Sequence, residues 1–218
     1  MYELTYKELS ISVIHKKRLK NTYISISDDK KVLVKTASSS QVYLLELLNT
    51  KEAWIRKTLN KMSSYKRYDF KLEDEVLLFG QLYSLDTYEA ENLRKRLNGI
   101  RISSKEKILQ CYDAFYKSIS ITYVTQRVEY FSNIMNLNYE LIKFRKMKSR
   151  WGSCSSKKVI TFNTQLIKLE KEFIDYVVVH ELAHLKHMNH SVHFHTLVDK
   201  YIHNSKDIRK SLKEVRVL

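Results

Sequence analysis

The run Glu170-Lys171-Glu172-Phe173-Ile174-Asp175-Tyr176-Val177-Val178-Val179-His180-Glu181-Leu182-Ala183-His184 decides the reading of this chain. It is acidic at its start and strongly apolar afterwards, the pattern of a buried helix whose N-terminus favours negative charge. On a helix His180 and His184 stand one turn apart on one face, so both imidazoles reach a single cation at about 2.0–2.1 Å. Glu181, beside the first, then faces a water at that cation. Seven of the eight histidines fall between His180 and His203, with His15 the outlier, and such crowding favours a metal site over a histidine-rich surface helix.

A catalytic zinc takes three protein ligands and keeps a fourth position open, so one ligand must come from beyond this turn. His187 continues the helical face, but a straight helix holds it about two turns from His180, too far to share the cation. His190 fits if the helix ends near Met188-Asn189, because asparagine tolerates the left-handed conformation that terminates helices. The spacing HExxHxxxxxH is that of metzincins, with His187 in place of their turn glycine. His193 and His195 are the alternative ligands, although a helix starting near Ser191 makes them surface or supporting side chains.

Working outward, the rest of the chain reads as a folded protein. With 44% hydrophobic residues over 218 positions, it can bury one good core or two small ones. No apolar run approaches the ~20 residues of a membrane span and the start, MYELTYKELS, is no signal peptide, so a cytoplasmic protein is expected, with no membrane partner. Two cysteines, Cys111 and Cys154, are too few for a disulfide framework or a four-cysteine zinc module. A net charge of +15 favours polyanions such as nucleotides or nucleic acid, yet the lysines and arginines are scattered as on an ordinary solvated surface. There is no proline and only three glycines, so element boundaries are weakly marked.

Between Ile11 and Lys35, short alternating segments separated by polar turns, one of them Asp28-Asp29-Lys30-Lys31, predict a small antiparallel β unit. From Ser39 the apolar positions recur at helical spacing through Met62, as one long helix or two short ones. Val76 to Leu85 reads as a hairpin about Gly80, and the charged stretch from Arg94 to Lys107 as turns and short strands. A second long helix runs from about Glu106 to Met135, its aromatics facing the core. Two strands, about Glu140 to Lys148 and Val159 to Leu166, flank a turn at Trp151-Gly152-Ser153-Cys154. The expected division is a β-rich N-terminal accessory region with one helix over residues 1–105, continuous with a catalytic domain over 106–218.

The ordered set Met147-Lys148-Ser149-Arg150-Trp151-Gly152-Ser153-Cys154-Ser155, Ile160-Thr161-Phe162-Asn163, the Asp175–Leu185 segment, and Asn189-His190-Ser191 with Phe194 closely resembles the YgjP-like metallopeptidase family, which is related to the SprT-like and WLM metallopeptidases. The likeness is strongest over residues 140–200. Phe79-Gly80-Gln81-Leu82-Tyr83 and the helix carrying Trp54 extend it over most of the chain. It implies His180, His184 and His190 as ligands of one Zn2+ per chain, Glu181 as the catalytic residue, and an α+β fold with a zincin-like C-terminal domain, a small sheet lying beside the HExxH helix. The chain departs from the family at Leu166-Ile167-Lys168-Leu169-Glu170, where a proline is usual before the metal helix, and at His195, where tryptophan is usual.

In that reading the substrate is a peptide or protein, and Glu181 is first the general base towards water and then the acid towards the leaving amine. Asn163, Tyr176 and a backbone amide near Gly152 are candidate oxyanion donors, each more readily explained as structural. Trp151 and Gly152 are candidates to line the substrate cleft, where an extended peptide could pair with a sheet edge. Cys154 is best read as a packed thiol, and Asp199 as a candidate acceptor behind a ligand histidine. Two other functions compete: a metal-dependent nucleotide pyrophosphatase, suggested by Lys143, Arg145, Lys146, Lys148 and Arg150, and a SprT-like protease associated with nucleic acid. Against the first stands the lack of an acidic cluster for magnesium, and against the second the lack of a recognised DNA-binding module.

Overall fold

The N-terminal strands alternate as half-buried strands must, with Ile11 and Val13 and then Val32, Val34 and Thr36 turned inward. In the computed structural model, which describes residues 1–27, 29–38, 40–63, 71–101 and 104–215, these belong to the first of two compact units, Met1–Tyr65 and Lys66–Leu218. Strands β1 (Tyr2–Tyr6), β2 (Leu9–His15), β3 (Tyr23–Ile26) and β4 (Val32–Thr36) form one sheet in the order β1-β2-β4-β3, followed by helix α1 (Gln41–Ser63). Leu44, Leu48 and Ile55 of α1 close the core against the inward strand residues.

The expected antiparallel unit is therefore a mixed sheet, because β2 and β4 pair in parallel. It also gains a strand, β1, paired antiparallel to β2 across a two-residue turn. Lys7 and Glu8 both take left-handed φ there, 41° and 67°, as a tight hairpin turn requires. The helix after the sheet is single. Asp28 of the expected turn and the start at Ser39 lie outside the described residues.

The second unit begins with the hairpin β5 (Glu75–Leu78) and β6 (Gln81–Ser84), turning at Phe79 and Gly80. The stretch from Arg94 to Lys107, expected as turns and short strands, holds the end of helix α2 (Glu91–Asn98), anchored by buried Leu93, then a turn at Gly99 and the first residues of the next helix; Ile102 and Ser103 lie outside the described residues. Helix α3 (Lys105–Met135) starts at Ser104, which accepts a bond from the Lys107 amide, and stops at Asn136 in the left-handed conformation. Side chains of the hairpin and α2, such as Val76, Leu78 and Leu93, share one core with Phe115, Val124, Phe162 and Val178. That shared core assigns residues 71–101 to this unit, whereas the sequence reading sets the division at 105.

Strands β7 (Leu141–Arg145), β8 (Gly152–Cys154) and β9 (Val159–Asn163) form a small sheet in the order β7-β9-β8. The segment expected as a plain turn at Trp151–Cys154 is thus mostly an edge strand, antiparallel to β9. A 3-10 turn (Thr164–Lys168) leads into α4 (Lys171–Ala183), the helix of the HExxH motif, and then α5 (Val192–Tyr201) and α6 (Ser205–Leu212) follow. The amides of Phe79 and Gly80 bond to the carbonyls of Ile167 and Lys168 at 2.9 Å, which fixes the approach to α4. Among the described residues no helix is long and apolar enough to cross a membrane.

Candidate metal centre

Helix α4 presents His180 and His184 one turn apart, their ring centroids separated by 5.0 Å. The helix ends at Ala183, a full turn before the expected Met188-Asn189, and Asn189 is not left-handed. In place of a glycine or asparagine cap, the chain closes through Lys186 and His187 amides bonded to the Ala183 carbonyl, and the His187 carbonyl lies 3.1 Å from His184 Nδ1. A proton on Nδ1 donates to that carbonyl and leaves Nε2 free as a ligand atom.

The early turn delivers His190 to the pair. Its ring lies 5.0 Å from His180 and 4.8 Å from His184, and ligand atoms of the three residues lie within 4.8 Å of one another. Ser191 then caps α5 by accepting from the Phe194 amide. Phe194, fully buried, packs its ring 4.7–4.9 Å from all three imidazoles and forms their common floor.

These donors suit a metal ion. Burial first, then the neighbouring histidines, pushes His180 down to about 3, and burial lowers His184 against the opposing His187 carbonyl. Both are neutral at physiological pH, the form in which imidazole binds metal. The Nε2 atoms of His180 and His190 face each other at 3.1 Å.

Glu181 points from the buried side of the same turn. Its Oε2 is buried without a hydrogen-bond partner among the described residues, and burial, opposed by the Arg150 charge, pushes its carboxyl up to about 8. An unpartnered carboxyl oxygen beside three converging imidazoles is what an attacking water would satisfy. Gly152 of β8 lies against it so closely that a Cβ there would meet Glu181 Oε1 at 2.6 Å.

A cleft of about 470 Å³ opens beside His180, Glu181 and His190. Trp151, Gly152 and Tyr176 line it. Asn163 does not: it is fully buried, its side chain bonding Met147 at both amide and carbonyl and the Arg150 carbonyl, and it thereby holds the loop before β8. Asp199 accepts from Ser205 and not from a ligand histidine. His193 stacks loosely on His187, while His195 lies beside His190 and contacts Arg209 at 3.1 Å. Burial, with the Glu181 charge, pushes Cys154 up to about 11, so it stays a thiol. Phe194 enters the sequence reading only as part of the family pattern, and its place as floor of the site is seen only in the packing of α5. Arg209 in the cleft wall carries no motif signal, and only the packing of α6 brings it to the site.

A family model described as "YgjP-like, metallopeptidase domain" matches residues 20–215. The chain belongs to the YgjP-like family. Such membership makes it a metal-dependent hydrolase of the metallopeptidase kind. Among solved structures, it is similar to the metallopeptidase zymogen abylysin of Pyrococcus abyssi, at 27% identity over 41% of this chain and 90% of that one, with a TM-score of 0.38. It is likewise similar to the metallopeptidase zymogen jannalysin of Methanocaldococcus jannaschii, at 24% identity, 41% and 92% coverage, and a TM-score of 0.37. No curated protein matches. The YgjP-like match spans the HExxH helix, His190 and the β8 edge alike.

Proposed function

We propose that this YgjP-like protein is a zinc-dependent peptidase that hydrolyses a peptide bond with Glu181 as general base. One observation carries the reading: three imidazoles converge while the adjacent Glu181 Oε2 is buried and without a hydrogen-bond partner among the described residues. His180, His184 and His190 are the ligands, each by a ring nitrogen. Zinc, when bound, supplies Lewis-acid polarisation of the scissile carbonyl and brings the acidity of water towards neutral pH.

The chain's own residues do the rest. Glu181, which a cation held by the three histidines would favour in its ionised form, takes the proton of the attacking water and returns it to the leaving amine, so that one carboxylate serves as base and then acid. Gly152 leaves the room in which that carboxylate sits. The edge strand β8 runs beside the histidines, and Trp151 and Gly152 line the cleft, which favours an extended peptide laid along the sheet edge.

A nucleotide pyrophosphatase would draw on the same activated water. Among the described residues, the one group of at least three metal-capable side chains is this histidine set, which contains no carboxylate for magnesium, and that favours the peptidase. The test is to incubate the zinc-loaded protein and its Glu181→Gln variant with unfolded protein and, separately, with nucleoside triphosphates. Cleavage of the protein alone, lost in Glu181→Gln, is expected. Release of phosphate or pyrophosphate without proteolysis would overturn the proposal.

A further inference from the structure

Arg209, on α6, is half-buried in the cleft wall, yet no carboxylate among the described residues lies within ion-pair distance of it. Its Nη1 rests 3.1 and 3.3 Å from the two ring nitrogens of His195, and that ring stands 6.2 Å from the ring of His190. A guanidinium partly removed from water beside an imidazole has lost hydration without gaining a direct ion pair.

The rest of the cleft has the same sign. Arg150 lines it from the loop before β8, close enough for its charge to act on Glu181, and Lys213 stands at its rim. Val177 and Leu212 supply apolar wall. Glu181 is the sole acid of the lining, and it is committed to the chemistry. A neutral backbone requires no such cations, whereas a carboxylate finds in a guanidinium a two-pronged donor of matching geometry.

We propose that this side of the cleft is a carboxylate subsite, with Arg209 as the specificity-determining residue, selecting peptides that carry a carboxylate close to the scissile bond. The inference rests on the peptidase reading of the histidine site. One ring separates Arg209 from His190, so at about 3.3 Å per residue the carboxylate falls within about three residues of the cleaved bond. Its source is either the peptide's own C-terminus or an acidic side chain.

Three versions of one short peptide separate these sources: neutral with an amidated end, the same with a free C-terminus, and amidated with glutamate near the cleaved bond. For the zinc-loaded full chain, at least one carboxylate-bearing version is expected to exceed the neutral one about tenfold in kcat/KM, mainly through KM, and Arg209→Ala is expected to bring that ratio within about twofold of unity. Preference for the free terminus alone identifies the terminal carboxylate, and preference for the glutamate version identifies a side chain. An absent preference in the wild type, or an undiminished one in Arg209→Ala, overturns the subsite. Arg209→Gln, which keeps the stem and most of the packing, serves if the alanine variant does not fold.

Binding of the same peptides to Glu181→Gln protein, followed by calorimetry with and without Arg209→Ala, gives a readout independent of turnover. Discrimination in binding without hydrolysis by the wild type would sink the peptidase reading and keep the subsite. Hydrolysis without discrimination would do the reverse.

Discussion

Gly152 and Glu181 occupy space that a single added carbon would contest: a Cβ on Gly152 would lie 2.6 Å from Oε1, 2.7 Å from Cγ and 2.8 Å from Cδ of Glu181. The glycine is required by this approach and not by its backbone, since its φ is not left-handed. An edge strand and the general base are thereby fitted to each other.

Gly152→Ala must displace the carboxylate, and a misplacement of about 1 Å at a reacting group costs on the order of 100-fold in rate. A drop of that size in kcat is expected, with the metal content of the wild type. Activity within a few-fold of wild type would show that Glu181 is not held by β8.

His190 is exposed, and its contribution is to the metal more than to the fold. His190→Ala is expected to weaken zinc binding by more than about 100-fold in a competition titration with a chelator. His187→Ala should change little, because His184 contacts the backbone carbonyl of His187 and not its ring. Full metal retention by His190→Ala would move the third ligand to His187, His193 or His195.

Asn163 ties the loop before β8 to the end of β9 from a fully buried position. Asn163→Ala leaves the Met147 and Gln165 amides and two carbonyls without that partner and is expected to cost about 2–3 kcal/mol in denaturant unfolding. A change below about 0.5 kcal/mol would mean that the loop holds itself.

Lys168 gives the pH dependence. Its ammonium lies 4.7 Å over the Tyr116 ring, and burial first, then the charge of Lys146, pulls its pKa from 10.5 down to about 8. Below pH 8 folded and unfolded chains both carry the proton, and the cost of burying the charge is present in full. Between about pH 8 and 10.5 the unfolded chain keeps a proton that the folded one has released, so this residue's contribution to stability rises with pH. Across that window the stability difference between wild type and Lys168→Met should move in favour of the wild type. Thermal melts at pH 7, 9 and 10.5 check it, and movement in the opposite direction would contradict the burial of this group.

What was legible follows from how local the signals are. The buried run Val177-Val178-Val179 and the spacing of His180 and His184 declare α4 and its polar face without tertiary information. The end of α4 was not legible, because the chain turns through bonds to the Ala183 carbonyl and a His184 contact with His187, with no glycine or proline to announce it. Strand β1 hides for a related reason: its turn places two charged residues, Lys7 and Glu8, at left-handed φ, where glycine or asparagine would be expected. Helix α2 reads as a loop because only Leu93 is buried in the run Glu91–Asn98. Arg209 joins the site only through the packing of α6, which leaves no mark in local sequence.

The most direct test of the central claim pairs zinc analysis with hydrolysis of an unfolded protein, for the wild type and Glu181→Gln. The wild type should hold one zinc per chain and cleave, and Glu181→Gln should hold the same zinc and lose cleavage by at least about 100-fold. Cleavage by Glu181→Gln at the wild-type rate would contradict the assignment of Glu181 as the base.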